Sequence, residues 1–288
     1  MTDWEPHTVT TDEYIDPTPV AALAALFDDG LPAPAVGDRL PALWHWVALA
    51  RWARSSQISV DGHPFRGAFL PPIELPRRMF AGGAVDFHAP LRVGDTTTRE
   101  SRVVDVVEKD GRSGRLAIVT VVTTLHTPAG EPAVVETQNL IYREAPLAAR
   151  PRPFPETITD LVPGGAPFTA RDDVGFDFHT DPTLLMRFSA ATANAHRIHY
   201  DWPYATGAEG YPGLVVHGPL MSLALAEAHR LSSDRAIARI THRNSAPLFC
   251  GQPAWLRPED TAEGRTVALV GPGGIDAGPH TSIDITFA

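Results

Sequence analysis

The heptapeptide APLRVGD at residues 89–95 recurs as APLFCGQ at residues 246–252, a little more than half a chain length later. A long-period internal repeat is typical of a chain built from similar structural units. Each copy follows a segment of strand-like composition, at 83–88 and at 237–244, and precedes more sequence of the same kind. The repeat therefore predicts two tandem halves with the same order of elements.

The segments after each copy favour antiparallel strands. In the first half, residues 101–107, 116–124 and 134–142 are rich in Val, Ile, Thr and Leu and are separated by turn sequences, which is typical of hairpins. In the second half, residues 266–270 and 281–287 occupy the corresponding places.

Helical patterns precede both copies. In the second half, Asp181 followed by proline is typical of an N-cap and first turn, here for a helix over 182–191, and Gly218 begins a second, apolar helix. Residues 19–27 and 41–52 are the predicted counterparts in the first half. Each half is therefore predicted to be a long central helix wrapped by an antiparallel sheet, and the chain to have the α+β double hotdog fold.

The two predicted halves are residues 1–144 and residues 169–288. Residues 145–168 between them contain six prolines and little apolar periodicity, and we interpret them as a linker. The first half has additional sequence at about 57–77, between its predicted helix and the repeated heptapeptide. An insertion of this size is more often functional than a simple connection, so we predict a functional loop there.

Composition excludes several classes of function. The chain has 288 residues, 43% of them hydrophobic, which is ample for a packed core. Its net charge of −10 argues against a general binder of nucleic acid or anionic membranes, since such binding depends on Lys and Arg. Cys250 is the only cysteine, so no intrachain disulfide forms. Neither a signal sequence nor a membrane-spanning apolar run is evident, and we expect a soluble cytoplasmic protein.

The candidate chemistry lies in NAHRIHYD at residues 194–201 and in HGPL at residues 217–220. An imidazole such as that of His199 can move a proton near neutral pH. Gly218 begins a helix, whose first N–H groups lack intrahelical partners and suit a developing negative charge on oxygen. A positioned base beside an oxyanion-binding amide indicates an enzyme that acts on acyl thioesters.

These two segments resemble the MaoC-like hotdog family, whose (R)-specific enoyl-CoA hydratases carry Asp-x-Asn-Pro-x-His followed by hydrophobic-His-Gly-x-Leu at a helix start. The whole chain resembles the double-hotdog members, the type 2 hydroxyacyl-thioester dehydratases and the mesaconyl-CoA hydratases. The resemblance implies that His199 transfers protons and that the amide of Gly218 binds the thioester oxygen. The sequence departs from the motif at Asn194, which replaces the acidic residue, at His196 and at Arg197.

The departure at Asn194 changes the expected chemistry, because an amide cannot accept or release a proton at neutral pH. We predict that His199 is the only acid and base and that Asn194 holds the water. An alternative is that His196 or Asp201 supplies a second proton-transfer group. The first half has no matching residues, since its long helix is predicted to begin at Leu40 and proline, so one active site per chain is expected.

Further residues are predicted to contact substrate. His196, Arg197 and His217 lie within or beside the motif, with stabilisation of the loop as the alternative for the two histidines. Arg77 and Arg78 follow the insert and could bind a carboxylate of the substrate or a phosphate of coenzyme A, with a solvated surface pair as the alternative.

The sequence thus predicts a hydro-lyase that reversibly hydrates an enoyl thioester. The resemblance implies coenzyme A as part of the substrate and a short, branched or dicarboxylic acyl group. The alternatives are a dehydratase of 3-hydroxyacyl chains on a carrier protein, a thioesterase, and a non-catalytic acyl-thioester binding protein. We expect no further cofactor and no metal, since His196 and His199 lack a carboxylate partner of zinc-site spacing. A homodimer is the expected assembly.

Overall fold

The computed structural model describes residues 4–111, 114–144, 164–171 and 174–288. Strands occupy β1 Thr8–Tyr14, β2 Arg77–Phe87, β3 Thr96–Gly111, β4 Gly114–His126, β5 Pro132–Arg143, β6 Phe168–Ala170, β7 Phe176–Phe178, β8 Ile237–Asn244, β9 Trp255–Asp260, β10 Gly264–Val270 and β11 Thr281–Phe287. The α helices are α1 Pro17–Phe27, α2 His45–Ala48, α3 Pro182–Ala191 and α4 Gly218–Ser232. Short 3₁₀ turns cover Ser55–Gln57, Arg197–His199 and Ile275–Ala277, and a π turn covers Tyr204–Ala208.

All described strands form one antiparallel sheet in the order β1-β3-β4-β5-β2-β8-β11-β10-β9-β7-β6. The first five belong to the first half and the other six to the second. The halves meet where β2 pairs with β8, with Gly82 opposite Arg243 and Asp86 opposite Arg239. This continuous sheet around a central helix confirms the predicted α+β double hotdog.

The repeated heptapeptide has the same structural task in both halves. Leu40 donates its N–H to the carbonyl of Leu91 at 2.8 Å, and Val216 donates its N–H to the carbonyl of Leu248 at 2.9 Å. Each copy therefore binds the backbone just before the position of the central helix. The repeat thus makes the same backbone contact in both halves, although α4 begins two residues after Val216 and α2 begins five residues after Leu40.

The central helices are unequal, which corrects the prediction of a long helix over 41–52. Only the four residues of α2 are helical there, whereas α4 has 15 residues. Leu43 has a φ of 67°, a left-handed conformation that is costly for a β-carbon-bearing residue and interrupts the segment. Trp44 of this segment is 1% exposed and donates its indole N–H to Glu227 of α4 at 3.2 Å, so the segment packs against α4.

Several other predictions can be compared with the structure. The helices over 182–191 and from Gly218 are confirmed, with the Asp181 side chain accepting the N–H of Leu184 at 2.6 Å. The short strands β1, β6, β7 and β9 were not predicted. Most of the predicted linker, residues 145–163, lies outside the described residues, and the boundaries of the halves remain predictions. Among the described helices, none combines the length and the apolar run that a bilayer crossing requires.

The core has two parts. The main apolar cluster packs the four α helices against the inner face of the sheet. A smaller cluster on the first half includes Val119 and Tyr142, and Phe69, Leu70 and Ile73 of the insert pack on it. The insert therefore folds across the first half of the sheet, towards the motif of the second half.

Candidate active site

One cavity of about 730 Å³ collects the sequence-predicted motif and the insert. Its walls come from the insert, β2, the loop before His199, the start of α4 and the inner strands of the first half. Among its lining residues are His63, Arg78, Asn194, His196, His199 and Gly218.

The ring of His199 is fixed in one tautomer. Its Nδ1 lies 2.7 Å from the carbonyl oxygen of Val215, and a carbonyl only accepts hydrogen bonds, so Nδ1 carries the proton. Nε2 is then the unprotonated nitrogen. The residue is 6% exposed, and burial lowers its pKa to about 3. His199 therefore presents a neutral imidazole with a free lone pair to the cavity.

Gly218 is the first residue of α4, and no side chain caps this end of the helix. Within the described residues its N–H has no hydrogen-bond acceptor, so the amide is available at the positive end of the helix dipole. A Cβ at this position would lie 3.1 Å from Cδ1 of Phe80 and 3.2 Å from Nδ2 of Asn244. The absence of a side chain thus lets α4 begin directly at the cavity wall.

Asn194 lies on the same wall, and part of its amide shapes the loop. Its Oδ1 accepts the N–H of His196 at 3.1 Å, and its own N–H donates to the carbonyl of Ser189 at 2.9 Å. Its Nδ2 group has no acceptor within the described residues and can donate to a molecule in the cavity. Asn194 could therefore bind a water or a substrate oxygen, and its role of holding the water stays a prediction.

Of the two histidines beside His199, only His196 lines the cavity. His196 lines the cavity and is 5% exposed, and burial together with the nearby imidazoles of His63 and His199 lowers its pKa to about 2. His217 is fully buried and does not line the cavity, which corrects its prediction as a substrate contact. It bonds Ser189 Oγ through Nε2 at 2.8 Å and stacks on the His199 ring with centroids 3.5 Å apart. His217 consequently holds the ring of His199 in place.

The prediction for Arg197 is also corrected, because its guanidinium points away from the cavity. It pairs with Asp201 at 2.7 Å, donates to the carbonyl of Val60 at 3.1 Å and lies over the ring of Tyr204. These contacts join the motif loop to the insert. Asp201, the alternative proton-transfer group, is occupied by this ion pair and is not among the lining residues.

Only one of the two arginines at the end of the insert lines the cavity. Arg77 pairs with Glu209 at 2.6 Å, lies over Tyr211 and does not line the cavity, which corrects its prediction as a substrate ligand. Arg78 lines the cavity, and its guanidinium has no hydrogen-bond or ion-pair partner within the described parts of the chain. Burial lowers its pKa, yet a guanidinium stays charged at neutral pH. The cavity thus contains a cation that is free to bind an anion.

The sequence reasoning missed Asp61 and His63 of the insert. The carboxylate of Asp61 accepts the backbone N–H of His63 at 2.9 Å through Oδ1 and the ring nitrogen Nδ1 at 3.1 Å through Oδ2. The His63 ring lies 4.2 Å from that of His196, centroid to centroid. The available signal was the sequence DGH at 61–63 inside a segment already predicted to be functional.

The insert is joined tightly to the motif loop. Gly62 has a φ of 93°, and a Cβ there would lie 1.7 Å from the carbonyl oxygen of Ala195. Arg197 donates its N–H to the carbonyl of Asp61 at 2.9 Å. Only glycine permits both this backbone conformation and this approach, so the insert is built to dock on the motif.

The ligand atoms of Asp61, His63 and His196 all lie within 4.8 Å of one another, so this group has the composition of a metal site. The Asp61 carboxylate already accepts two hydrogen bonds from His63, however, and the charge of Arg78 acts on both histidines. These charges favour an anion at this wall over an added cation.

A sheet of two hotdog halves with one such cavity defines a double-hotdog protein of the acyl-thioester hydratase and dehydratase class. Residues 43–250 match the model of the hydroxyacyl-thioester dehydratase type 2 family, and the chain belongs to this family. The fold is shared with HtdX of Mycobacterium tuberculosis, with a TM-score of 0.66, 19% identity and coverage of 98% of this chain and 100% of that one. It is shared also with a MaoC-like dehydratase, with a TM-score of 0.64, 15% identity and 98% of both chains covered.

Two curated relatives span most of the chain. Mesaconyl-C(4)-CoA hydratase of Chloroflexus aurantiacus is 42% identical over 274 residues, which cover 95% of this chain and 94% of the relative. The mitochondrial hydroxyacyl-thioester dehydratase type 2 of Schizosaccharomyces pombe is 22% identical over 276 residues, which cover 85% and 88%.

Proposed function

We propose that the protein is a hydro-lyase that reversibly adds water to the double bond of an enoyl-CoA thioester. The observation that carries this proposal is the presence of an unprotonated imidazole nitrogen on His199 and a free helix-start amide on Gly218 in the walls of one cavity. Family membership and the 42% identical hydratase support the same reaction.

We propose one role in hydration for each group. Asn194 binds the water, and Nε2 of His199 removes a proton from it as the oxygen bonds to the β carbon. The electron pair of the double bond moves towards the thioester carbonyl, whose oxygen gains charge and accepts the N–H of Gly218. Delivery of a proton to the α carbon completes the hydroxyacyl thioester, and the reverse sequence expels water.

The acyl group is proposed to be short, branched and dicarboxylic. The unpaired guanidinium of Arg78 supplies a charge-assisted partner for a second carboxylate, and apolar side chains such as Trp46, Phe80 and Leu125 form the nearby wall. The name of the relative from Chloroflexus aurantiacus indicates a mesaconyl thioester as its substrate. We propose the same or a closely related acyl-CoA for this chain.

Steady-state rates on mesaconyl-C(4)-CoA, crotonyl-CoA and a longer enoyl thioester test this function. Loss of the enoyl-thioester absorbance without release of free thiol supports hydration, and thiol release would instead indicate a thioesterase. A faster rate with the same acyl groups on a carrier protein would favour the dehydratase of fatty-acid or polyketide synthesis. No change with any of these thioesters would leave only a binding role.

Arg78→Gln tests the acyl specificity separately. Loss of a charge-assisted hydrogen bond of about 1.5–3 kcal/mol lowers kcat/KM for mesaconyl-C(4)-CoA by about 10- to 100-fold, whereas the value for crotonyl-CoA changes little. Arg102→Gln on β3 is a matched control, because Arg102 is exposed and is not among the residues that line the cavity. Equal losses on both substrates would contradict the role of Arg78.

We also propose a cytoplasmic homodimer without nucleic-acid or membrane partners. The acidic net charge of −10 supports the absence of nucleic-acid binding. Light scattering of the purified protein gives its mass in solution, and a monomeric mass would contradict the dimer.

A further inference from the structure

We propose that the insert supplies the second proton-transfer group of the active site: His63, held by Asp61, exchanges the proton at the α carbon of the substrate, while His199 exchanges the proton of water. This inference rests on the proposed hydratase function. It would also give the insert, which covers the first half of the sheet, a direct part in the chemistry.

The reaction itself creates the need for such a group. Hydration takes one proton from water and delivers one to the α carbon, and the side chain of Asn194 can do neither. On the cavity wall, the His196 ring lies beside that of His199, and the His63 ring lies beside that of His196. Of His63 and His196, only His63 is bonded to a carboxylate.

The rings form a row along the cavity wall. The His63 and His196 centroids lie 4.2 Å apart, and the His196 and His199 centroids lie 5.5 Å apart. His196 therefore contacts both His63 and His199, and we place the α carbon of the acyl group at His63 and its β carbon at His199. The docking of Gly62 on the carbonyl of Ala195 fixes the distance between the two ends of the row.

The partners of the two end rings assign their roles. Nδ1 of His63 faces a carboxylate oxygen of Asp61 at 3.1 Å, whereas Nδ1 of His199 faces a carbonyl oxygen of Val215 at 2.7 Å. A carboxylate stabilises an imidazolium more strongly than a carbonyl does. Of the two end rings, His63 is therefore the one that better stabilises an added proton, as an ion pair with Asp61, and His199 is assigned as the neutral base.

With these assignments, every proton and electron pair in the reaction is accounted for. Nε2 of His199 takes a proton from water, the oxygen bonds to the β carbon, and the π pair moves to the thioester oxygen at the Gly218 N–H. The enolate pair then forms a C–H bond with the proton of His63 Nε2, which leaves His63 neutral and still bonded to Asp61. Between turnovers the proton on His199 returns to His63 by exchange through water in the cavity.

The charges around His63 link this step to the substrate. It faces Asp61 and Arg66 from the insert, Arg78 from β2, and His196 and His199 from the motif loop; Tyr142 of β5 lies beside the Arg78 and Asp61 charges. Burial lowers the pKa of His63, the hydrogen bond to Asp61 opposes this shift, and the charge of Arg78 lowers the pKa further. A substrate carboxylate bound to Arg78 cancels that last effect. An acyl group with a second carboxylate would thereby favour the protonated form of His63, which delivers the proton to the α carbon.

The rate at which the α proton exchanges with solvent distinguishes the role of His63 from that of His199. The probe is the saturated acyl-CoA with the carbon skeleton of mesaconyl-CoA, incubated in D₂O and followed by mass spectrometry. It has no hydroxyl to eliminate, so only removal and return of the α proton are observed. We expect wild-type protein and His199→Gln to exchange, and His63→Gln to lose about 100-fold or more of the exchange rate.

Matched variants control for structural damage. His88→Gln, at an exposed histidine outside the cavity, should exchange like wild type, and thermal unfolding reports whether His63→Gln is folded. Asp61→Asn should move the alkaline limb of kcat/KM to lower pH, because it removes the group that raises the pKa of His63. Asp61→Glu should restore the limb in part.

The outcomes distinguish this inference from the proposed function. Hydration of mesaconyl-C(4)-CoA by wild type together with exchange that is lost in His199→Gln and kept in His63→Gln would overturn the inference alone. The inference also fails, and the proposed function stands, if a folded His63→Gln protein retains the wild-type exchange rate or if wild type hydrates the substrate without any exchange. The same holds if dialysis against EDTA abolishes exchange and Zn²⁺ restores it, since a metal ion would then act at this group. Failure of wild type to hydrate any enoyl thioester would overturn both.

Discussion

Replacing Gly218 by alanine should damage catalysis without damaging the fold. The added Cβ would lie 3.1 Å from Phe80 Cδ1 and 3.2 Å from Asn244 Nδ2, both on the cavity wall. Contacts of this length require the neighbours to move by a few tenths of an ångström. The side chain of Asn244 is held by Thr281, which donates to its Oδ1 at 2.8 Å, so the start of α4 must give way instead.

The magnitudes of the two effects differ. Gly218 does not have a left-handed backbone conformation, and its new contacts of 3.1 and 3.2 Å need only small shifts, so we expect the free energy of unfolding to change by at most about 1 kcal/mol. Displacing one oxyanion-binding donor typically lowers kcat by about 10²- to 10³-fold. We therefore expect a kcat loss of about 100-fold with a small change in KM.

The assay is hydration of mesaconyl-C(4)-CoA at saturating and limiting concentrations, alongside thermal unfolding. Gly213→Ala is the matched control, since its Cβ would come no closer than 3.4 Å to a ring carbon of Trp202. Wild-type kcat in a folded Gly218→Ala protein would refute the role of this amide. A fall in melting temperature that accounts for the lost activity would refute the expectation that the fold is spared.

Three further changes have defined outcomes. Gly62→Ala places a Cβ 1.7 Å from the carbonyl oxygen of Ala195 at a φ of 93°, so we expect the insert to detach from the motif loop. Faster limited proteolysis within the insert and loss of hydration activity would show this. Wild-type proteolysis and activity would contradict it. Ser189→Ala removes the hydroxyl that lies 2.8 Å from Nε2 of His217. We expect kcat to fall about threefold to tenfold, as for the loss of a supporting hydrogen bond of about 1 kcal/mol. An unchanged kcat with an unchanged position of the His199 ring in a crystal structure would contradict this. Burial raises the pKa of Glu227 from 4.5 to about 7, so the folded protein keeps this proton to higher pH than the unfolded chain does. The resulting contribution to stability is fully present below pH 4.5 and is lost as the pH rises through 7. In urea titrations, Glu227→Gln should lack that decline, and an identical pH dependence in both proteins would exclude this origin.

Local signals made most of the fold predictable. Strands β8 and β11 match their predicted bounds, 237–244 and 281–287, because runs of β-branched residues and flanking turns mark them directly. The helix from Gly218 is likewise marked by its apolar spacing. The helix over 41–52 failed because apolar composition does not reveal the left-handed turn at Leu43 or the need for the chain to leave the core before the insert.

The site was predictable where it is contiguous in sequence. Asn194 and His199 were predicted from the segment 194–201 and Gly218 from the segment 217–220, and all three line the cavity. Neighbours in sequence were also assigned to substrate, but Arg197 and His217 turn to other partners, because adjacent side chains in a tight turn point in different directions. His63 reaches the same cavity from the other half of the chain, and no local pattern reports such a long-range contact.

The docking of Gly62 on Ala195 brings residues of both halves into the walls of the candidate active site. Neither half, expressed alone, would contain a working site, although the second carries the whole recognisable motif. Cleaving the chain between the halves and mixing the purified pieces should therefore give activity only as the pieces reassociate along β2 and β8. Such complementation would make the rate of reaction a direct readout of assembly.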